Sequence, residues 1–194
     1  MGAIISLWGS FLRMWIGFGT RIFPPVIHPM LVHFPIVLLW GSLLTSLLGL
    51  VWRTPDRFLD RSSFYLLVLG LVAGIVTAAT GVLSEQFVNW TPATRALLTT
   101  HQTYAVLTGV FTMLAIASRL LGRYPRQAQG RHAWQLGRSG RGRQTVLSLV
   151  FSVAAVVMVT MTASVGGTMV YQYGVGVHGL LFHPFTPITS GPHK

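Results

Sequence analysis

Hydrophobic residues in this chain come in long unbroken blocks. Four stretches, 34–52, 62–84, 96–118 and about 144–170, contain no Asp, Glu, Lys or Arg. Each matches the roughly 20 apolar residues that cross about 30 Å of hydrocarbon. Lipid offers no partner to backbone N–H and C=O groups, so each block predicts a helix. Barrel strands would alternate in polarity, and these blocks do not. The expected fold is all-α: an integral membrane four-helix bundle spanning residues 27–177.

Residues 1–26 have a different pattern. Arg13 and Arg21 interrupt an apolar run in which Trp8 and Trp15 lie one heptad apart. A secretory signal would carry its charge before the apolar core and a small-residue cleavage site after it. The pattern predicts an amphipathic helix lying in the interface and stopped by Pro24 and Pro25. A fifth span would put Arg13 at costly depth.

Composition narrows the class. The 194 residues are 52% hydrophobic and only 9% charged, against about a quarter in soluble domains. The net charge of +11 would suggest nucleic acid if it were spread over a soluble surface. It is not. Arg53, Arg57 and Arg61 lie between the first two blocks. Arg119, Arg123, Arg126, Arg131, Arg138, Arg141 and Arg143 lie between the last two, with only Tyr124 and Trp134 among them, too few for a platform that stacks successive bases. This is a topology signal. It sets both connections in the cytoplasm and leaves both termini, including the tail 178–194, extracytoplasmic. The expected partner of the surface is the lipid bilayer, not nucleic acid. The absence of cysteine excludes disulfides, thiolate-held iron–sulfur clusters and thioether-linked haem.

The histidines then stand out. Six of the seven, all but His132, fall on the side opposite the arginines. His28 and His33 precede the first block in HPMLVHFPIVLLW, and His101 opens the third. The second block ends there with Thr80, Gly81 and Glu85. The fourth ends there with Gly166, Gly167, Tyr171 and His178. Imidazole can ligate a metal or haem, shuttle a proton or bind a quinone. Two histidines on opposing helices can hold haem b, and His33 with His101, at similar depth, are the expected pair. His28 is the substitute ligand or an orienting partner. Arg21 and Arg95 are candidates for propionate contacts. Small residues at Gly70 and Gly74, at Gly41, Thr45 and Gly49, and at Gly166 and Gly167 allow close helix approach. Pro29 and Pro35 suit a fixed, non-regular or single-turn entry to the first span. Each feature has a plainer reading as well: an interfacial histidine, ordinary packing glycines, snorkelling arginines.

HPMLVHFPIVLL, GLVAGIVTAATGVLS, a histidine early in the third span and GGTMVYQYGVGV together resemble a bacterial membrane family known as domain of unknown function 2231. The resemblance covers roughly residues 27–177. It singles out His28, Pro29, His33, Pro35, His101, Gly166, Gly167, Tyr171, Gly174 and Gly176. Members are four-span proteins, some fused to Rieske iron–sulfur or cytochrome c domains. The resemblance therefore implies extracytoplasmic electron transfer in a bacterial inner membrane, here with a separate Rieske or cytochrome c carrier or another subunit as partner.

The expected function is a b-type haem electron-transfer subunit linking the quinone pool to such a carrier, its sites drawn from His33, His101, His28, Arg95, Tyr171 and His178. Two alternatives stay open. One is a cofactor-free anchor or assembly subunit. The other is a copper-handling protein using the outer histidines with Met30, Met158, Met161 and Met169. No paired carboxylates, phosphate loop or nucleophile triad suggests an enzyme acting alone.

Overall fold

A computed structural model describes residues 2–24, 26–52, 57–121 and 145–177. Among the described residues six α-helices follow one another: α1 (Gly2–Ile22), α2 (Ile27–Leu31), α3 (His33–Val51), α4 (Phe58–Ser84), α5 (Pro92–Leu121) and α6 (Val146–Tyr171). A single 3₁₀ turn, Glu85–Phe87, follows α4. Four helical stretches are long and apolar enough to cross a membrane: Ile27–Val51, Phe58–Phe87, Pro92–Leu121 and Val146–Tyr171. No strand occurs among the described residues. The chain is a multi-pass, all-α membrane bundle.

Helix ends follow local chemistry. At the start of α5, the Thr91 hydroxyl accepts from the Thr94 N–H (3.3 Å) and the Thr94 hydroxyl from the Thr91 N–H (3.0 Å). Pro92 sits between them, where a missing N–H costs nothing. Thr145 caps α6 by accepting from the Ser148 N–H at 3.0 Å. Past α6, Gly174 and Gly176 take φ of 63° and 79°, so the GVGV glycines turn the chain out of the helix.

α3 with α4 and α5 with α6 form two tightly packed hairpins. Fewer contacts join one hairpin to the other, through α3 with α6 and α4 with α5. The shared core is Leu39, Leu43, Leu67, Ala115, Val156 and Val159. Gly70 lets α3 and α4 close, because a methyl there would stand 2.8 Å from Leu39 Cδ2. Much of the interior is polar: Ser42, Ser46, Ser63, Thr77, Thr80, Thr108, Thr112, Ser148 and Ser152 are buried. Outward faces carry Val37, Leu44, Ile75, Val106, Met113, Val153 and Val157. Hydroxyls inside and aliphatics outside is the arrangement that suits lipid, where a hydroxyl needs a partner and a valine does not.

α1 lies against the end of α4. Trp15 Nε1 donates to the Ala79 carbonyl at 3.2 Å, and Gly19 sits beneath the Leu83 side chain. Leu7, Phe11, Met14, Phe18 and Ile22 leave an exposed apolar stripe along it.

Candidate functional site: two imidazoles across the hairpin seam

The ends of α4 and α6 and the starts of α2 and α5 share one end of the bundle. There His28 of α2 meets His101 of α5, with ring centroids 6.3 Å apart and planes 76° to each other. Both are half-buried. Each hairpin supplies one ring and holds it the same way. His28 Nδ1 lies 2.9 Å from the Thr77 carbonyl of α4, and His101 Nδ1 lies 2.9 Å from the Thr162 carbonyl of α6. A carbonyl can only accept, so each Nδ1 carries the hydrogen and Nε2 keeps the lone pair in the neutral ring.

A glycine one turn beyond each carbonyl seats the ring. A methyl on Gly81 would lie 3.2 Å from Cε1 and Nδ1 of His28. One on Gly166 would lie 3.3 Å from Cε1 of His101. These glycines make room for imidazoles. Proline completes the first half-site. Pro35 has no N–H for the Leu31 carbonyl four residues back, and the Thr77 hydroxyl reaches that carbonyl at 3.3 Å. Thr77 thus anchors the start of α3 with its side chain and aims His28 with its backbone.

The remaining candidates scatter. His33, the first residue of α3, is exposed, and the ring that meets His101 belongs to His28. Arg95 and Tyr171 are exposed, Tyr171 at 76%. His178 lies outside the described residues, as do His132, His183 and His193. Arg21 is exposed at the end of α1. Met30 and Met161 are exposed, Met158 half-buried and Met169 buried. Glu85 accepts from Gln102 Nε2 at 2.8 Å, joining the end of α4 to α5 beside His101. Among the described residues, no group of three or more His, Cys, Asp or Glu could enclose a metal ion.

A second polar site lies away from the histidines. Arg119 is 1% exposed at the other end of the bundle. Its Nε donates to Ser148 Oγ (2.7 Å), Nη1 to Ser63 Oγ (2.8 Å) and Nη2 to Ser46 Oγ (2.9 Å). Because the uncharged block ends at Ser118, the sequence pattern assigns Arg119 to the connection, whereas it lies within α5. Serines near the same ends of the other three spans were the available signal.

A family model described as "Predicted membrane protein (DUF2231)" matches residues 24–179. The chain belongs to this family. The DUF2231 match begins just before α2 and ends just after the turn that closes α6, so it contains both half-sites and excludes α1. No curated protein and no solved structure matches this DUF2231 chain.

Proposed function

We propose that this DUF2231 protein is a membrane electron-transfer subunit that holds haem b between His28 and His101. The single observation that carries the reading is the cross-seam pair: two imidazoles 6.3 Å apart, each with Nδ1 committed to a helix carbonyl. Imidazole nitrogens bind metals at ~2.0–2.1 Å, so His28 and His101 are close enough that both would be able to hold one metal-centred cofactor. A carbonyl on Nδ1 is also the usual partner that fixes the tautomer and orientation of a ligating histidine.

An edge-to-face contact between two histidines could show the same centroid distance. It would not require both rings to turn the same nitrogen towards a carbonyl. A bare metal ion fits the pair less well, since two protein ligands leave most of its coordination open. A haem would need only two ligands from the protein, and His28 and His101 would supply them. When bound, the haem supplies one-electron transfer.

The chain's own residues then have separate tasks. His28 and His101 ligate. The carbonyls of Thr77 and Thr162 orient them. Gly81 and Gly166 let the rings lie against α4 and α6. By the positive-inside rule, the six arginines from Arg123 to Arg143 favour a cytoplasmic location for their side, which would leave the imidazole end outside. That location, in a bacterial inner membrane, suits exchange between the quinone pool and a Rieske or cytochrome c carrier. A cofactor-free anchor has no need for paired, pre-oriented imidazoles.

Oxidised and dithionite-reduced visible spectra of detergent-purified variants test the reading. His28→Ala and His101→Ala should each remove the six-coordinate b-type spectrum, and His33→Ala should leave it. Loss with His33→Ala alone would put the ligand elsewhere. A spectrum indifferent to all three would remove the haem from this site.

A further inference from the structure

The two half-sites match one another, and the correspondence runs the length of the bundle. When His28 is laid on His101, Pro35 falls on Thr108, Leu39 on Thr112, Ser42 on Ala115 and Ser46 on Arg119. These are all the buried positions of α3 and α5 except Leu43 and Thr94. When Thr77 is laid on Thr162, Gly81 falls on Gly166, and the buried Ser63, Leu67 and Gly70 fall on the buried Ser148, Ser152 and Ala155. Any two helices share a 3.6-residue rhythm, so burial alone could be matched at several shifts. These shifts also superpose the two imidazoles, their carbonyl acceptors, their glycines and two of the serines that grip Arg119.

The packing obeys the same relation. α3 packs on α4 as α5 does on α6, and the looser contacts of α3 with α6 and α4 with α5 exchange with each other. A twofold axis along the bundle produces this pattern, as in membrane proteins built from parallel repeats. His28 and His101 meet on that axis at one end. Arg119 lies on it at the other. Ser63 and Ser148 are equivalents of each other, and Ser46 is the equivalent of Arg119 itself. The guanidinium therefore bonds the other three members of one symmetric set.

We infer that the chain is a tandem duplication of one histidine-bearing helical hairpin, and that Arg119 is the positioning residue that bolts the two copies together. Two of its three bonds, to Ser63 and Ser46, cross the seam between hairpins. The seam is the less extensive interface, so these bonds help to set the spacing at which the imidazoles face each other. Asp60, in the first turn of α4, is the carboxylate whose charge acts on the guanidinium there. The positioning role rests on reading the imidazole pair as ligands. The duplication does not.

The test is to move the arginine to its equivalent position. In the full-length protein, R119S removes the bolt. S46R/R119S restores it from the other copy, with Nε facing Ser63, Nη1 facing Ser148 and Nη2 facing the new hydroxyl. R119S should lower the melting temperature in detergent by about 10 °C. The double variant should recover most of that loss and the haem occupancy with it. Should R119S fail to fold, a folded, monodisperse double variant makes the same point. A double variant no more stable than R119S would overturn the inference, as would R119S melting with the wild type. If the wild type carries no haem, the melting series still decides the duplication while the haem reading fails.

Discussion

The two ends of the bundle axis solve opposite problems with polar groups in lipid. At one end a guanidinium, 1% exposed, has each of its three nitrogens on a serine hydroxyl. At the other, two half-buried imidazoles each commit one nitrogen to a carbonyl and keep the second. A buried polar group must find partners or it costs stability. The arginine end is built to be closed by the protein itself. The imidazole end leaves Nε2 of each ring outside those two contacts. The degree of saturation, more than the presence of a charged or titratable residue in a span, distinguishes the two ends.

The largest break in this contrast should come from the ligands. His28→Ala or His101→Ala should abolish bound haem while the bundle stays folded, as seen in the visible spectrum alongside circular dichroism. Next, Arg119→Met should leave three buried serines without their shared donor and cost about 3–5 kcal/mol of stability, read from thermal unfolding. Smaller effects should come from the seats of the rings. Gly81→Ala and Gly166→Ala put a methyl 3.2 and 3.3 Å from the imidazoles, tight enough to displace them. Each should weaken haem retention about tenfold, or ~1.4 kcal/mol, in a haem-transfer assay. The smallest should be His33→Ala. Its exposed side chain should leave spectrum and stability within about 0.5 kcal/mol of wild type.

Much of the fold was legible in the sequence because hydropathy is a property of blocks. Runs free of charge announced the four spans, and prolines and glycines announced their ends. The helices extend beyond the uncharged runs. α5 begins at Pro92 and continues through Arg119 to Leu121. A count of charges cannot distinguish an arginine in water from one enclosed by serines contributed by three other helices.

The imidazole pair was half legible. That histidines gather at one end follows from topology. Which two meet depends on angle as well as depth. His28 and His33 are five residues apart, about 140° around a helix, so one turned inwards leaves the other outside. The turn α2 places His28 on the inner side against α4. The repeat that unites both sites lay unread in Thr77-Ala78-Ala79-Thr80-Gly81 and Thr162-Ala163-Ser164-Val165-Gly166. Only Thr, Ala and Gly coincide there, because what the two copies share is burial and backbone, while most side chains have diverged.

Two copies of one hairpin presenting a single bis-imidazole site should bind haem in a fixed ratio to the chain, which a pyridine haemochrome assay against protein concentration measures. In protein made with ample haem, the account predicts close to one b-type haem per chain. No haem, or two per chain, would contradict it.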